Sequence, residues 1–88
     1  MLSQQREKID QLDQQIVALL EERMTVVTEV ARIKAENQLA ILDGQREEAL
    51  LAKIRHYVKD DQYEESIVEV YQAMLLISKN YQRKTNGK

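Results

Sequence analysis

An all-α fold is what this sequence predicts, and three observations carry that expectation. The 88 residues contain no proline and two glycines, so the chain has almost no built-in breaks. Glu, Gln, Lys, Arg, Leu and Ala, all strong helix formers, make up more than half of it. Its apolar residues recur at steps of three and four, the period of a helix buried on one face. The expected architecture is three helices per chain, one of them very long, assembled as an interleaved helical homodimer. The length allows a single domain, taken as residues 1–83, with residues 84–88 as a frayed tail.

The first helix is expected from about residue 2 to about residue 37, with Ser3 as a candidate cap. Its stripe reads Ile9, Leu12, Ile16, Leu19, Leu20, Val27, Val30. Residues 37–42 lose the pattern and read as a loop. Asp43-Gly44 marks a new start, with Asp43 as N-cap and Glu47 and Glu48 near the positive end of the helix dipole. The second helix is expected to reach about residue 59, turning Leu50, Leu51, Ile54 and Val58 inward. Asp60-Asp61 breaks it and caps a third, which carries Tyr63, Ile67, Val70, Tyr71, Met74, Leu75 and Ile77 and ends near Arg83.

Length argues for assembly. A first helix of about 36 residues is a rod of roughly 54 Å. A compact chain of this size has a radius of gyration of about 12 Å. Two shorter helices cannot cover such a rod, so a second copy of the chain is expected to cover the rest. A kinked first helix folding back into a monomeric bundle is the alternative, but no proline or glycine marks a kink.

Composition excludes several functions. Thirteen basic residues stand against fifteen acidic ones, a net charge of −2, which disfavours nucleic acid as a partner. With no cysteine there is no disulfide framework and no thiolate zinc site. His56 is the single histidine, so neither a histidine metal cluster nor a Ser-His-Asp triad is expected. The N-terminal residues carry no apolar run of the signal-peptide kind, and no stretch has the apolar length of a membrane span. A cytoplasmic protein without membrane contact is the resulting expectation. No glycine-rich phosphate loop occurs, and the four tyrosines read as helix-packing residues.

The informative residues are polar groups in phase with the apolar stripes. At 100° per residue, Arg23 lies within about 40° of Ile16, Val27 and Val30, and Lys34 about 20° from Arg23. Glu47 lies about 40° from Leu51 and about 20° from Ile54 and Val58. Ser78 follows Met74 by one turn, and Gln82 follows Ser78 by one turn. Each helix therefore turns at least one polar group inward, where an unpaired charge costs several kcal/mol. Singly, each has an ordinary explanation. Arg23 and Lys34 can bury their stems and keep their heads wet. Asp43 can be a cap, Ser78 can bond its own backbone, and Glu47 can pair with Arg46 or another cation. Jointly, two cations, a carboxylate, a hydroxyl and an amide suit a small, multiply anionic, hydroxylated ligand.

The same residues carry a resemblance. Arg6-Glu7-Lys8-Ile9-Asp10-Gln11-Leu12-Asp13 is similar to the Arg-x-x-Ile-Asp-x-(Ile/Leu)-Asp opening of the all-helical chorismate mutases. Leu19-Leu20-Glu21-Glu22-Arg23 and Val30-Ala31-Arg32-Ile33-Lys34 continue it. Asp43-Gly44-Gln45-Arg46-Glu47 resembles the family's Asp-x-x-Arg-Glu, and Ser78-Lys79-Asn80-Tyr81-Gln82 its Ser-x-x-x-Gln. Each motif is weak alone; all of them, in order and at matching separations over nearly the whole chain, are specific.

The resemblance, which is to the single-domain, monofunctional type, implies conversion of chorismate to prephenate in phenylalanine and tyrosine biosynthesis, without a cofactor. By the same implication, Arg23 and Ser78 hold a substrate carboxylate. Lys34 reaches a carboxylate and the ether oxygen of the breaking bond, and Gln82 donates a second hydrogen bond to that oxygen. Glu47 holds the ring hydroxyl, helped by Arg46, and Asp43 lines the site. Arg6 binds a carboxylate in the other subunit's site. Geometry agrees with that last role, because Arg6 precedes Arg23 by about 26 Å along a straight helix and is turned about 100° from it. Members of the family sometimes associate with another enzyme of aromatic biosynthesis. Two other functions remain open on the same scaffold. One is isochorismate pyruvate-lyase, which the Asp43-x-x-Arg46-Glu47 pattern disfavours. The other is a non-catalytic helical dimerisation or regulatory module, which would have no use for polar groups in phase with its stripe.

Overall fold

The computed structural model describes residues 1–40 and 44–86 of the chain. Helix α1 spans Ser3–Glu36, α2 spans Gly44–Tyr57 and α3 spans Glu64–Asn86, with a short 3₁₀ turn at Asp61–Tyr63. No strand occurs among the described residues, so the all-α expectation holds.

The helix ends refine the sequence reading. Ser3 is the first helical residue of α1 and not its cap; Leu2 occupies the cap position, with no side-chain cap hydrogen bond. The first free N–H groups are exposed there, so water satisfies them and no Ser cap is needed. The other end of α1 is closed more firmly. Gln38 adopts φ 57°, its N–H donates to the Ala35 carbonyl at 3.3 Å, and the Leu39 N–H donates to the Lys34 carbonyl at 2.8 Å. This is the Schellman arrangement, which consumes carbonyls the helix would otherwise leave open. The Asn37 side-chain amide adds a bond to the Ile33 carbonyl at 2.9 Å. A left-handed position favours glycine, so Gln38→Gly is expected to stabilise the protein by up to about 1 kcal/mol, read as a higher melting temperature. An unchanged or lower value would mean that the strain at Gln38 is already relieved.

Helix α2 stops two residues before the expected end. Asp60 must be extended (φ −108°, ψ 108°) for its carboxylate to accept the Gln62 N–H at 3.1 Å, so the chain leaves the helix before it. Tyr63 accordingly sits in the 3₁₀ turn and not in the third helix. Helix α3 outruns its expected end near Arg83 and reaches Asn86. No breaker intervenes at Lys84 or Thr85, and the Thr85 hydroxyl bonds back to the Tyr81 carbonyl at 3.2 Å. Asp43, expected as the N-cap of α2, lies outside the described residues.

Helix α3 packs against both α1 and α2, whereas α1 and α2 do not pack on each other among the described residues. Arg23 and Thr28 on α1 meet Ser78 and Tyr81 on α3, so these two helices run the same way. Glu47 and Arg55 on α2 meet Lys79 and Glu64 on α3, so α2 runs against it. Arg55 also bonds Glu65, and this hydrogen bond, reinforced by the opposite charge, lowers the Glu65 pKa. The arrangement leaves a gap between α1 and α2 with α3 as its floor.

Little of the molecule is inside. Among the described residues the buried apolar ones are Ala31, Ile54 and Val68. The α1 stripe lies open, with Ile9, Leu12 and Ile16 each more than half exposed and Leu19 63% exposed. Tyr57 and Tyr63 are exposed as well, so they do not pack within the chain as expected of the tyrosines, while Tyr71 and Tyr81 are half-buried. The molecule measures 54 Å along its longest axis and has a radius of gyration of 15.9 Å, well above the figure of about 12 Å for a compact chain of this length. Its accessible surface of 7412 Å² likewise exceeds the roughly 5,400 Å² expected of a compact 10.3 kDa monomer. No helix among the described residues is long and apolar enough to cross a membrane.

Candidate active site

The gap between α1 and α2 forms an open cleft of about 120 Å³ within the single chain, smaller than a typical complete small-molecule site. Helix α1 contributes Arg23 and Lys34, which stand three turns apart on one face with Val27 between them. Helix α2 contributes Arg46 and Glu47 from its first turns, above Leu50. Helix α3 contributes Ser78, Lys79 and Gln82, above Leu75. Polar groups that the sequence places in phase with the apolar stripes thus share one space, walled by Val27, Leu50 and Leu75.

The deepest polar residues are Ser78 and Gln82, 6% and 7% exposed. Arg23 donates from Nη1 to the Ser78 hydroxyl at 3.1 Å, which ties α1 to α3 and fixes the guanidinium at the cleft wall. The fork of an arginine presents five donors, so this bond leaves several for a ligand carboxylate. One turn along, the Thr28 and Tyr81 hydroxyls lie 2.9 Å apart, a second tie between the same helices beside Gln82. Lys34 sits in the last turn of α1, where the Schellman closure holds its backbone.

Gln82 is unusual. Its Oε1 is fully shielded and has no hydrogen-bond partner among the described residues. Buried polar atoms are nearly always paired, and an orphan costs about 1–3 kcal/mol. A half-turn of the amide exchanges its donor and acceptor ends, so the group can present either to a molecule in the cleft.

Glu47 is half-buried and pairs across the cleft floor with Lys79, Nζ to Oε2 at 3.2 Å. The expected partner for a structural Glu47 is a neighbouring surface cation; the observed one stands on another helix. Lys79 is a cleft residue that sequence reasoning does not single out. Its one available signal is its place three residues before Gln82, about 60° away on the helical projection. Which α2 residue it meets depends on the α2–α3 packing register, which periodicity does not specify.

Arg6 is exposed in the first turn of α1 and does not line this cleft. Asp43 lies outside the described residues. Of the eight residues the sequence nominates, the structure therefore brings Arg23, Lys34, Arg46, Glu47, Ser78 and Gln82 together. The cleft can do three things chemically: fix carboxylates, accept a hydroxyl, and offer preorganised donors to an oxygen that gains charge.

Comparison with known proteins gives the same direction. The family model described as chorismate mutase type II matches residues 5–83. The chain is 30% identical over 92 residues to the chorismate mutase of Methanocaldococcus jannaschii, a match covering 99% of this chain and 93% of that protein. It is 43% identical over 49 residues to the bifunctional chorismate mutase/prephenate dehydratase of Buchnera aphidicola, covering 56% of this chain and 13% of that longer protein. No solved structure matches significantly.

Proposed function

Because this chain belongs to the type II chorismate mutase family, we propose that its cleft binds chorismate and rearranges it to prephenate. The observation that carries this reading is the convergence of Arg23, Lys34, Glu47, Ser78 and Gln82, from three helices, on one cleft. The reaction is intramolecular: one carbon–oxygen bond breaks as one carbon–carbon bond forms, with no proton transferred. An enzyme accelerates it by holding the compact reactive conformer and stabilising charge as it develops. Arg23, steadied by Ser78, fixes a carboxylate. Lys34 and Gln82 donate to the ether oxygen as the bond to it breaks. Glu47 accepts the ring hydroxyl, with Arg46 beside it. The reading keeps the cytoplasm as the compartment.

A homodimer is part of the proposal. Its support is the exposed stripe of α1 and an accessible surface about 2,000 Å² above that of a compact chain of equal mass. An excess of that size per protomer suits an obligate interface. The partner's Arg6 would then reach this cleft and hold the second carboxylate.

The deciding experiment is to incubate the protein with chorismate and with isochorismate and identify the products. Prephenate from chorismate supports the reading. Pyruvate and salicylate from isochorismate, without prephenate, would replace it with the lyase. Gln82 gives a second test. A neutral amide donates at any pH, whereas a carboxyl donates only when protonated, around pH 4 for an ordinary glutamate. Gln82→Glu is therefore expected to retain activity at acidic pH and lose most of it at neutral pH. A flat pH profile for that variant would remove Gln82 from the ether oxygen.

A further inference from the structure

The Lys79–Glu47 pair has a geometry that an incidental surface ion pair does not need. The ammonium lies 3.2 Å from Oε2 and 3.5 Å from Oε1, so it straddles the carboxylate. Both side chains are sheltered, 21% and 27% exposed, and both line the cleft. Partial burial weakens the solvent and salt screening that makes exposed pairs nearly worthless. The two residues also stand on different helices, α2 and α3, so the pair sets the position of a cleft group and does not merely decorate one helix surface.

Glu47 poses a problem for the function proposed above. It is the one anion among the described residues lining the cleft, and a substrate with two carboxylates must enter beside it. A glutamate side chain also has three rotatable bonds, and freezing them costs free energy each time substrate binds. A cation held against both oxygens addresses both difficulties. It offsets repulsion of the incoming dianion, and it fixes the carboxylate beforehand, leaving one lone pair on each oxygen for a hydroxyl.

We propose that Lys79 is a positioning residue for this site, holding the Glu47 carboxylate in the pose that receives the ring hydroxyl of chorismate. The inference rests on the proposed function of the cleft. Lys79 touches no reacting atom and acts through Glu47, so its effect falls mainly on substrate capture.

A double-mutant cycle tests this. Lys79→Met keeps the length of the side chain and removes its charge. In the otherwise natural protein it is expected to raise KM for chorismate about tenfold and change kcat by less than about threefold, within the range of coupled neighbouring side chains. Lys79→Arg restores the cation and is expected to recover most of the loss. In a Glu47→Gln background the carboxylate is gone, and Lys79→Met is expected to cost less than about twofold in kcat/KM. Circular dichroism and melting temperature establish that each variant is folded. Equal losses from Lys79→Met in both backgrounds, or no loss in either, would overturn the inference while leaving the function of the cleft intact. If the natural protein fails to convert chorismate at all, the function falls first and takes this inference with it.

Discussion

Replacing Lys34 with alanine is expected to lower kcat for chorismate by about two to three orders of magnitude, the usual cost of losing one preorganised donor to a developing oxyanion. The cleft places Lys34 where that loss should be large. Its backbone is pinned by the closure of α1, with Leu39 and Gln38 donating to the Lys34 and Ala35 carbonyls. Its side chain is half-buried on the cleft wall, three turns from Arg23. A charge held there costs desolvation before substrate arrives, and meeting a group that becomes negative only at the transition state returns that cost where it affects rate. The substitution removes a contact to a carboxylate as well, so KM should rise too. The measurement is the loss of chorismate ultraviolet absorbance at saturating substrate, on protein whose helicity matches the natural chain. A fall in kcat of less than about tenfold would show that Lys34 binds substrate without serving the transition state, because uniform binding alters KM and leaves kcat alone.

The helices and most of the cleft residues are legible in the amino-acid sequence itself. The 3.6-residue period marks the three helices because nothing in the chain competes with it: no proline, two glycines, and polar residues that are themselves helix formers. The same period puts Arg23, Lys34, Glu47, Ser78 and Gln82 in phase with the apolar stripes, and a residue's angle on a helix is a local property. What is not legible depends on other elements. The early end of α2 follows from the extended conformation that lets Asp60 cap the 3₁₀ turn. The Lys79–Glu47 pair depends on how α3 slides along α2. The orphaned oxygen of Gln82 is a property of the space around it, and sequence contains no measure of that space. Leu2 in place of Ser3 as cap reflects an end so exposed that no side chain is required to satisfy it.

Mixing two inactive variants, Arg6→Ala and Lys34→Ala, is expected to restore activity to about a quarter of the natural level. The expectation follows from symmetry. If each site takes Lys34 from one protomer and Arg6 from its partner, a mixed dimer has one site with both residues intact and one with neither. Random exchange makes about half of the dimers mixed, and one of their two sites works. Arg6 cannot act in its own chain's cleft, because it precedes Arg23 by 17 residues on an unbroken helix, about 26 Å along the axis. The proposed homodimer also accords with how little one chain buries alone. Among the described residues the buried apolar side chains are Ala31, Ile54 and Val68, a small core to set against the entropy of ordering three helices. The apolar face left open on α1 by Ile9, Leu12, Ile16 and Leu19 belongs to the same helix that carries Arg6. Covering that face and delivering Arg6 to the neighbouring cleft would therefore be a single event, which links folding to activity through protein concentration. Co-denaturing and refolding the two variants allows exchange, and sedimentation reports the oligomer. Restoration would require a shared site. A mixture as inactive as its components, with dimers present and exchange shown by a tagged subunit, would mean that each site is built from one chain and that Arg6 serves the interface alone.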